Sequence, residues 1–175
     1  MIEEIEIRES RLSDVSSIET LYSDAFPDED LLPLVRELLS EEHVGLSLAG
    51  IVDRALVGHV IFTACGIAGR TDKVSLLGPL AVAPVWQRRG IGSTLVCAGL
   101  QRLENAGAIQ VYVLGDPAYY ERVGFRPESG VSPPYPLPEE WHCAWQSVSL
   151  DKAVQAPQGK LSVPQPWRRP ALWAP

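Results

Sequence analysis

The residues whose types and spacing best suit chemistry are Gln87, Arg88, Arg89, Gly90, Ile91, Gly92 and Ser93. They stand where an apolar run over residues 73–83 gives way to a helical pattern that begins at Gly90. The first turn of a helix carries N–H groups without intrahelical partners and the positive end of the helix dipole, so it readily accepts an anion. Glycines at 90 and 92 let the main chain close on phosphate oxygens. Arg88 and Arg89 add positive charge to a chain whose formal net charge is -7. A plainer alternative is a tight turn that only packs helix on strand, because short glycine patterns recur widely. Two phosphate motifs are excluded. A Walker A loop needs Gly-Lys-Ser/Thr, whereas Gly92 precedes Ser93 and Thr94, and the dinucleotide fingerprint needs a third glycine where Leu95 stands.

The elements that position this joint are legible from periodicity. Ile5 and Ile7 alternate with Glu4, Glu6 and Arg8, predicting a first strand. Ser13 is the expected N-cap of a helix carrying Val15, Ile18, Leu21, Tyr22 and Ala25, which Phe26-Pro27 ends. A second amphipathic helix is expected over 30–42, and two strands around Asp53-Arg54 over 44–64. The run 73–83 is apolar on both faces, as a central strand would be. Within it Gly78-Pro79 predicts a bulge or a local parting of strands, because proline offers no ladder N–H.

A helix over 90–105 should pack one side on the sheet through Ile91, Leu95, Val96, Gly99, Leu100 and Leu103. A strand ending at Leu114 follows, then a short helix with Asp116 as N-cap, Pro117 as first residue and Gly124 as stop. Beyond Phe125 a proline-rich irregular segment leads to a last strand over 142–151. This order predicts an α+β fold: a mixed, mostly antiparallel central sheet with one β-α-β crossover and helices on both faces. Residues 1–155 are expected to form one domain, and 156–175 a Pro/Trp-rich extension that wraps or trails it.

Composition bounds the partners. A pI near 5.0 argues against a general nucleic-acid binder, which needs a basic face. No run is long enough to span a bilayer, and the acidic N-terminus does not read as a signal peptide. Cys65, Cys97 and Cys143 are odd in number and far apart, which fits reduced thiols and a cytoplasmic protein rather than disulfides or a metal site.

The stretch "LAVAPVWQRRGIGSTLV" resembles the acetyl-CoA signature of the Gcn5-related N-acetyltransferase superfamily, Gln/Arg-x-x-Gly-x-Gly/Ala behind a Leu-Ala-Val strand end. "GDPAYYERVGF" is similar to its second signature, an aromatic-Tyr-Glu-x-x-Gly-Phe turn, and "LGDPAYYERVGF" with "GKLSVPQPWRRP" looks most like the YhbS-like branch. The resemblance covers about residues 3–150 well and the tail loosely. It implies acetyl-CoA as co-substrate, no metal, and acetyl transfer to a primary amine of a small molecule or protein by direct attack in a ternary complex. It further implies that main-chain groups of Leu80, Ala81 and Val82 hold pantetheine and the acetyl carbonyl, and that amides from Arg88 to Ser93 cradle the pyrophosphate. Tyr120 matches the family's general acid, while Tyr119 is expected in the core or on the groove wall.

Many members carry an asparagine where Gly115-Asp116-Pro117 stands. Asp116 is therefore a candidate pantetheine contact, although capping already explains it. Glu29, Asp30, Glu139, Glu140 and His59 are the candidate general bases, each with a plainer reading as a solvated charge or satisfied strand residue; Cys97 has no activating neighbour in sequence. Members often dimerise, which leaves a homodimer open. Two rivals use the same features: an acyl-CoA-binding sensor without turnover, and an interaction protein working through its Pro/Trp-rich tail.

Overall fold

A computed structural model describes residues 4–40 and 45–175. The chain divides into two compact units, Met1–Phe62 with Gly78–Gly99, and Thr63–Leu77 with Leu100–Pro175. Three elements supply residues to both: β3 (Ala55–Ile67), β4 (Val74–Val82) and α3 (Ile91–Asn105).

In the first unit the strand order is β1-β2-β3-β4, with β1 (Glu6–Glu9) antiparallel to β2 (Gly45–Val52) in the register Ile7↔Gly50. Helices α1 (Val15–Ala25) and α2 (Leu32–Ser40) join in a core of Ile18, Leu21, Tyr22, Val35 and Ala81. Strand alternation sends adjacent side chains to opposite faces. His59 meets Tyr22 of α1, whereas a Cβ on Gly58 would lie within 3.1 Å of Ile91 and Leu95 of α3. This unit therefore carries helices on both faces of its strands. Gly58 and Gly99 both let α3 lie close to β3; a Cβ on Gly99 would overlap the Phe62 ring.

In the second unit the order is β4-β5-β8-β6. Strand β5 (Gln110–Leu114) runs parallel to β4 in the register Val74↔Gln110 to Leu77↔Val113, so the described ladder stops one residue before Gly78. β8 (Trp145–Ser149) lies antiparallel between β5 and the two-residue β6 (Arg126–Pro127). The tail forms β9 (Gly159–Ser162), antiparallel to β3 at Gly66 and Ile67 and parallel to β7 (Val131–Ser132). Trp167 donates to Thr63 Oγ1 at 3.0 Å, and Trp173 donates to the Trp167 carbonyl at 3.1 Å. Trp173 also meets the Trp145 ring edge-on at 5.8 Å, and Trp145 stacks on Tyr112 at 5.6 Å. The tail is thus ordered by ladder bonds and buried indoles.

Two sequence expectations shift. Ser13 is not the cap: Asp14 accepts the Arg11 N–H at 2.7 Å and pairs with Arg8, closing a short 3-10 turn, Leu12–Asp14, ahead of α1. The strand expected over 142–151 is Trp145–Ser149, because Pro138 launches a 3-10 segment, Glu139–Ala144, in front of it. Helix α2 is described only to Ser40; its expected end at Glu42 and the strand start at Val44 lie outside the described residues.

Candidate active site

The first unit holds the glycine-arginine joint. A 3-10 turn, Pro84–Trp86, leaves β4 and ends at Gln87, whose side-chain amide donates to the Val82 carbonyl at 3.0 Å. Arg88 then takes φ +63° and Gly90 φ +81°. The left-handed region is the one a glycine occupies without steric cost, so Gly90 has a conformational reason to be there and Arg88 carries local strain. From this double bend α3 starts at Ile91, and Gly90 O accepts from Thr94 N at 3.0 Å and Thr94 Oγ1 at 2.8 Å. Ile91 and Gly92 are buried, Ser93 is half-buried, and this first turn of a fifteen-residue helix presents N–H groups without intrahelical partners. Arg88 and Arg89 are exposed, and the Arg89 guanidinium lies 4.9 Å from the Trp86 ring centroid.

The end of β4 supplies a second row of main-chain groups. Ala83 N–H bonds Val57 O of β3 at 2.8 Å. Alternation along a strand then turns the Ala81 backbone to β3 as well, and turns the N–H and C=O of Leu80 and Val82 away from it. Leu80 and Val82 are half-buried and Ala81 is buried. Ala81 brings no backbone polar group to the outer side, and the Val82 carbonyl there is already met by Gln87.

In the second unit Tyr120 ends α4 (Pro117–Tyr120). Asp116 caps that turn by accepting the Ala118 N–H at 3.0 Å, and Gly124 stops the following 3-10 turn at φ +96°. The Tyr120 ring is wedged edge-on between Tyr119 at 5.0 Å and Phe125 at 5.5 Å. It also lies over Gly115, where a Cβ would come within 2.5 Å of Tyr120 Cε2. The space that an asparagine side chain would need in this turn is filled by the tyrosine. Burial, with Tyr119 and Asp116 adding to it, raises the Tyr120 phenol above its ordinary value, so its O–H stays protonated.

The remaining candidates separate by unit and burial. Glu29 and Asp30 are exposed and line a cavity of about 350 Å³ in the first unit with Tyr22, Phe26 and Leu32. Glu139 and Glu140 are exposed in the second. His59 is wholly buried, with Tyr22 Oη 2.8 Å from Nδ1 and Ser47 Oγ 2.7 Å from Nε2. Desolvation pushes its pKa down to about 3, so it is a neutral, doubly hydrogen-bonded ring. Cys97 and Cys143 are exposed, Cys65 is half-buried, and all three are free thiols. Among the described residues no group of three or more His, Cys, Asp or Glu side chains is placed to hold a metal, and no helix is long and apolar enough to cross a membrane.

The family profile of the acetyltransferase (GNAT) domain matches residues 49–127, which contain both the joint and Tyr120. Over 167 residues the chain is 35% identical to the uncharacterized N-acetyltransferase YjhQ of Escherichia coli (strain K12), covering 91% of this chain and 92% of that one. The chain belongs to the GNAT acetyltransferase family. Two solved structures carry the same fold. The YhbS acetyltransferase from Escherichia coli in complex with CoA aligns with a TM-score of 0.86 and 26% identity, over 95% of this chain and 93% of that one. A GNAT family acetyltransferase from Brucella melitensis in complex with acetyl-CoA aligns with a TM-score of 0.77 and 27% identity, over 94% and 99%. The expected α+β architecture with a mixed sheet is therefore the GNAT fold, and the protein is an acyltransferase by family.

Sequence reasoning missed two features. Gly115 makes room for Tyr120, and its signal was its position one residue before the capping Asp116. The hydrogen-bonded surroundings of His59 could not be read, because its partners lie 37 and 12 residues away. The only hint was one imidazole within an apolar strand.

Proposed function

We propose that this chain moves the acetyl group of acetyl-CoA to a primary amine by direct attack within a ternary complex. The observation that carries the reading is the run of main-chain donors in the first unit. Leu80 and Val82 face away from β3, and further along the chain bends through Arg88 and Gly90 into the free amides of α3. Such a run suits the amide-rich pantetheine arm followed by a diphosphate, and its relatives were solved with CoA and acetyl-CoA.

In this reading the amides from Arg88 to Ser93 hold the diphosphate, and the two arginines assist. Gln87 acts by fixing the Val82 carbonyl, and Ala81 spaces the two outward residues. Asp116 acts by capping the turn of Tyr120. The Leu80 N–H donates to the thioester carbonyl, where negative charge grows as the amine attacks. The nitrogen lone pair forms the new C–N bond, the tetrahedral species collapses with loss of the C–S bond, and the thiolate takes the Tyr120 proton. The proton lost by the amine passes to solvent, which restores the phenol. Three free thiols support a reducing compartment, the cytoplasm, as the setting of this reading.

Titration calorimetry with CoA and acetyl-CoA, combined with thiol release across a panel of amines, tests this. Tyr120→Phe should lower kcat by about 10²-fold or more while CoA affinity stays within about twofold. Binding without turnover of any amine would favour the acyl-CoA sensor. Absence of CoA binding would remove the reading altogether.

A further inference from the structure

Four polar side chains form one continuous chain inside the first unit. Ser10 Oγ lies 2.6 Å from Ser47 Oγ, Ser47 Oγ 2.7 Å from His59 Nε2, and His59 Nδ1 2.8 Å from Tyr22 Oη. At its inner end the Tyr22 hydroxyl donates to the Pro79 carbonyl at 3.2 Å. Proton counting gives this chain a direction. A carbonyl only accepts, so the single Tyr22 proton points at Pro79. Tyr22 Oη then accepts the proton of Nδ1, which leaves Nε2 bare to accept from Ser47, and Ser47 in turn accepts from Ser10. Every proton in the chain points toward Pro79.

That endpoint matters because the Pro79 carbonyl and the Leu80 N–H are the two ends of one planar peptide and point in opposite directions when it is trans. The Gly78–Pro79 bond before it is cis, whereas the bond from Pro79 to Leu80 is not among the cis bonds. The Tyr22 hydroxyl, carried on the buried side of α1, therefore holds the carbonyl end on the core side and leaves the amide end facing outward. Proline at 79 has no N–H with which β3 could fix this segment. A side-chain bond does that instead.

We propose that Ser10, Ser47, His59 and Tyr22 are positioning residues that aim the Leu80 N–H at the acyl carbonyl of the bound thioester. The inference rests on the assignment of that N–H to the carbonyl under the proposed function. His59 is neutral and enclosed, so it serves as a rigid link, receiving a hydrogen bond at one nitrogen and giving one at the other. Tyr22 makes no covalent or proton-transfer step in this account.

The test reads the carbonyl itself. Acetyl-CoA labelled with ¹³C at the thioester carbonyl is bound to the full-length protein, and its chemical shift is compared with that of free acetyl-CoA. A downfield shift on binding reports a hydrogen bond to that oxygen. With wild-type protein a downfield shift is expected. Tyr22→Phe keeps the ring and loses the hydroxyl, so it should return most of the shift toward the free value. It should also lower kcat about 10-fold or more, a part of what a lost oxyanion donor costs, with CoA affinity within about twofold.

Ser47→Ala unpins the His59 tautomer, lets Tyr22 donate to Nδ1 instead, and should give an intermediate shift and kcat. It also replaces Tyr22→Phe as the deciding variant if the latter does not fold. Wild-type values of both shift and kcat in a folded variant overturn the positioning role alone. A wild-type protein that binds acetyl-CoA with no downfield shift removes the Leu80 contact, and this inference with it. A general loss of packing would lower stability without moving the carbonyl shift at full occupancy, and that outcome overturns the proposal too.

Discussion

Replacing His59 by glutamine should flatten the acid dependence of stability, and the size of the effect follows from burial. In the folded chain desolvation holds the imidazole at about 3, with Asp14 opposing weakly, against an ordinary value of 6.5. Between those values the unfolded chain binds a proton that the folded chain refuses, so stability falls as pH falls. The contribution is complete above pH 6.5 and decays by about 1.4 kcal/mol per pH unit below it. By pH 5 the loss is about 2 kcal/mol, a large share of the stability of an ordinary domain.

Asp14 works in the same direction, since Arg8 holds its carboxylate below its ordinary 3.8, but its share is lost only as pH falls below that value. The window from pH 7 to pH 5 therefore isolates His59. Urea unfolding followed by circular dichroism at pH 7, 6 and 5 measures it, and hydrogen exchange at the amides of residues 57–62 follows the unit that contains the ring. Glutamine is neutral throughout and leaves every other titratable group in place. The variant should start less stable at pH 7 and lose about 2 kcal/mol less than the parent on acidification. Parallel losses in the two proteins would refute the assignment of a neutral buried imidazole.

Other outcomes follow from single contacts. Gly115→Ala places a Cβ 2.5 Å from Tyr120 Cε2, so the ring must move, and kcat should fall about 10- to 100-fold with little change in CoA affinity by calorimetry. Gly99→Ala forces a methyl into the Phe62 ring between α3 and β3 and should cost about 1–3 kcal/mol in denaturant unfolding. Trp167→Phe removes the indole donor from the buried Thr63 hydroxyl, for a loss of about 1–3 kcal/mol that thermal melting would report.

What could be read from the sequence was what local chemistry decides. Asp116 followed by Pro117 needs only its own turn to act as a cap, and it does. Gly90 and Gly124 mark bends at positive φ that glycine enters freely. The apolar run of β4 was legible because both its faces are covered. Ser13 misled because Asp14, one residue on, has a stronger acceptor and an arginine partner, Arg8, six residues earlier on β1. The strand after Pro138 started late because proline-led 3-10 turns leave no periodic signature. The tail's indoles could be counted but not placed, since Trp167 and Thr63 lie 104 residues apart.

The same distinction separates the cofactor side of this protein from its chemistry. Holding a diphosphate asks for backbone amides at a helix start, and a short pattern of glycines writes that requirement into adjacent positions. Aiming one amide at a carbonyl is a different demand. It needs a peptide plane fixed from behind, and the side chains that fix it come from whichever elements pack there. Under the proposal they come from α1, β2, β3 and the residue after β1, each with a hydroxyl or imidazole that looks ordinary in its own segment. Arg89 makes the complementary point, because its guanidinium lies over Trp86, outside the helix turn. Under the proposed function, charge placed in that way steers an anion toward the joint, while the grip itself belongs to the main chain.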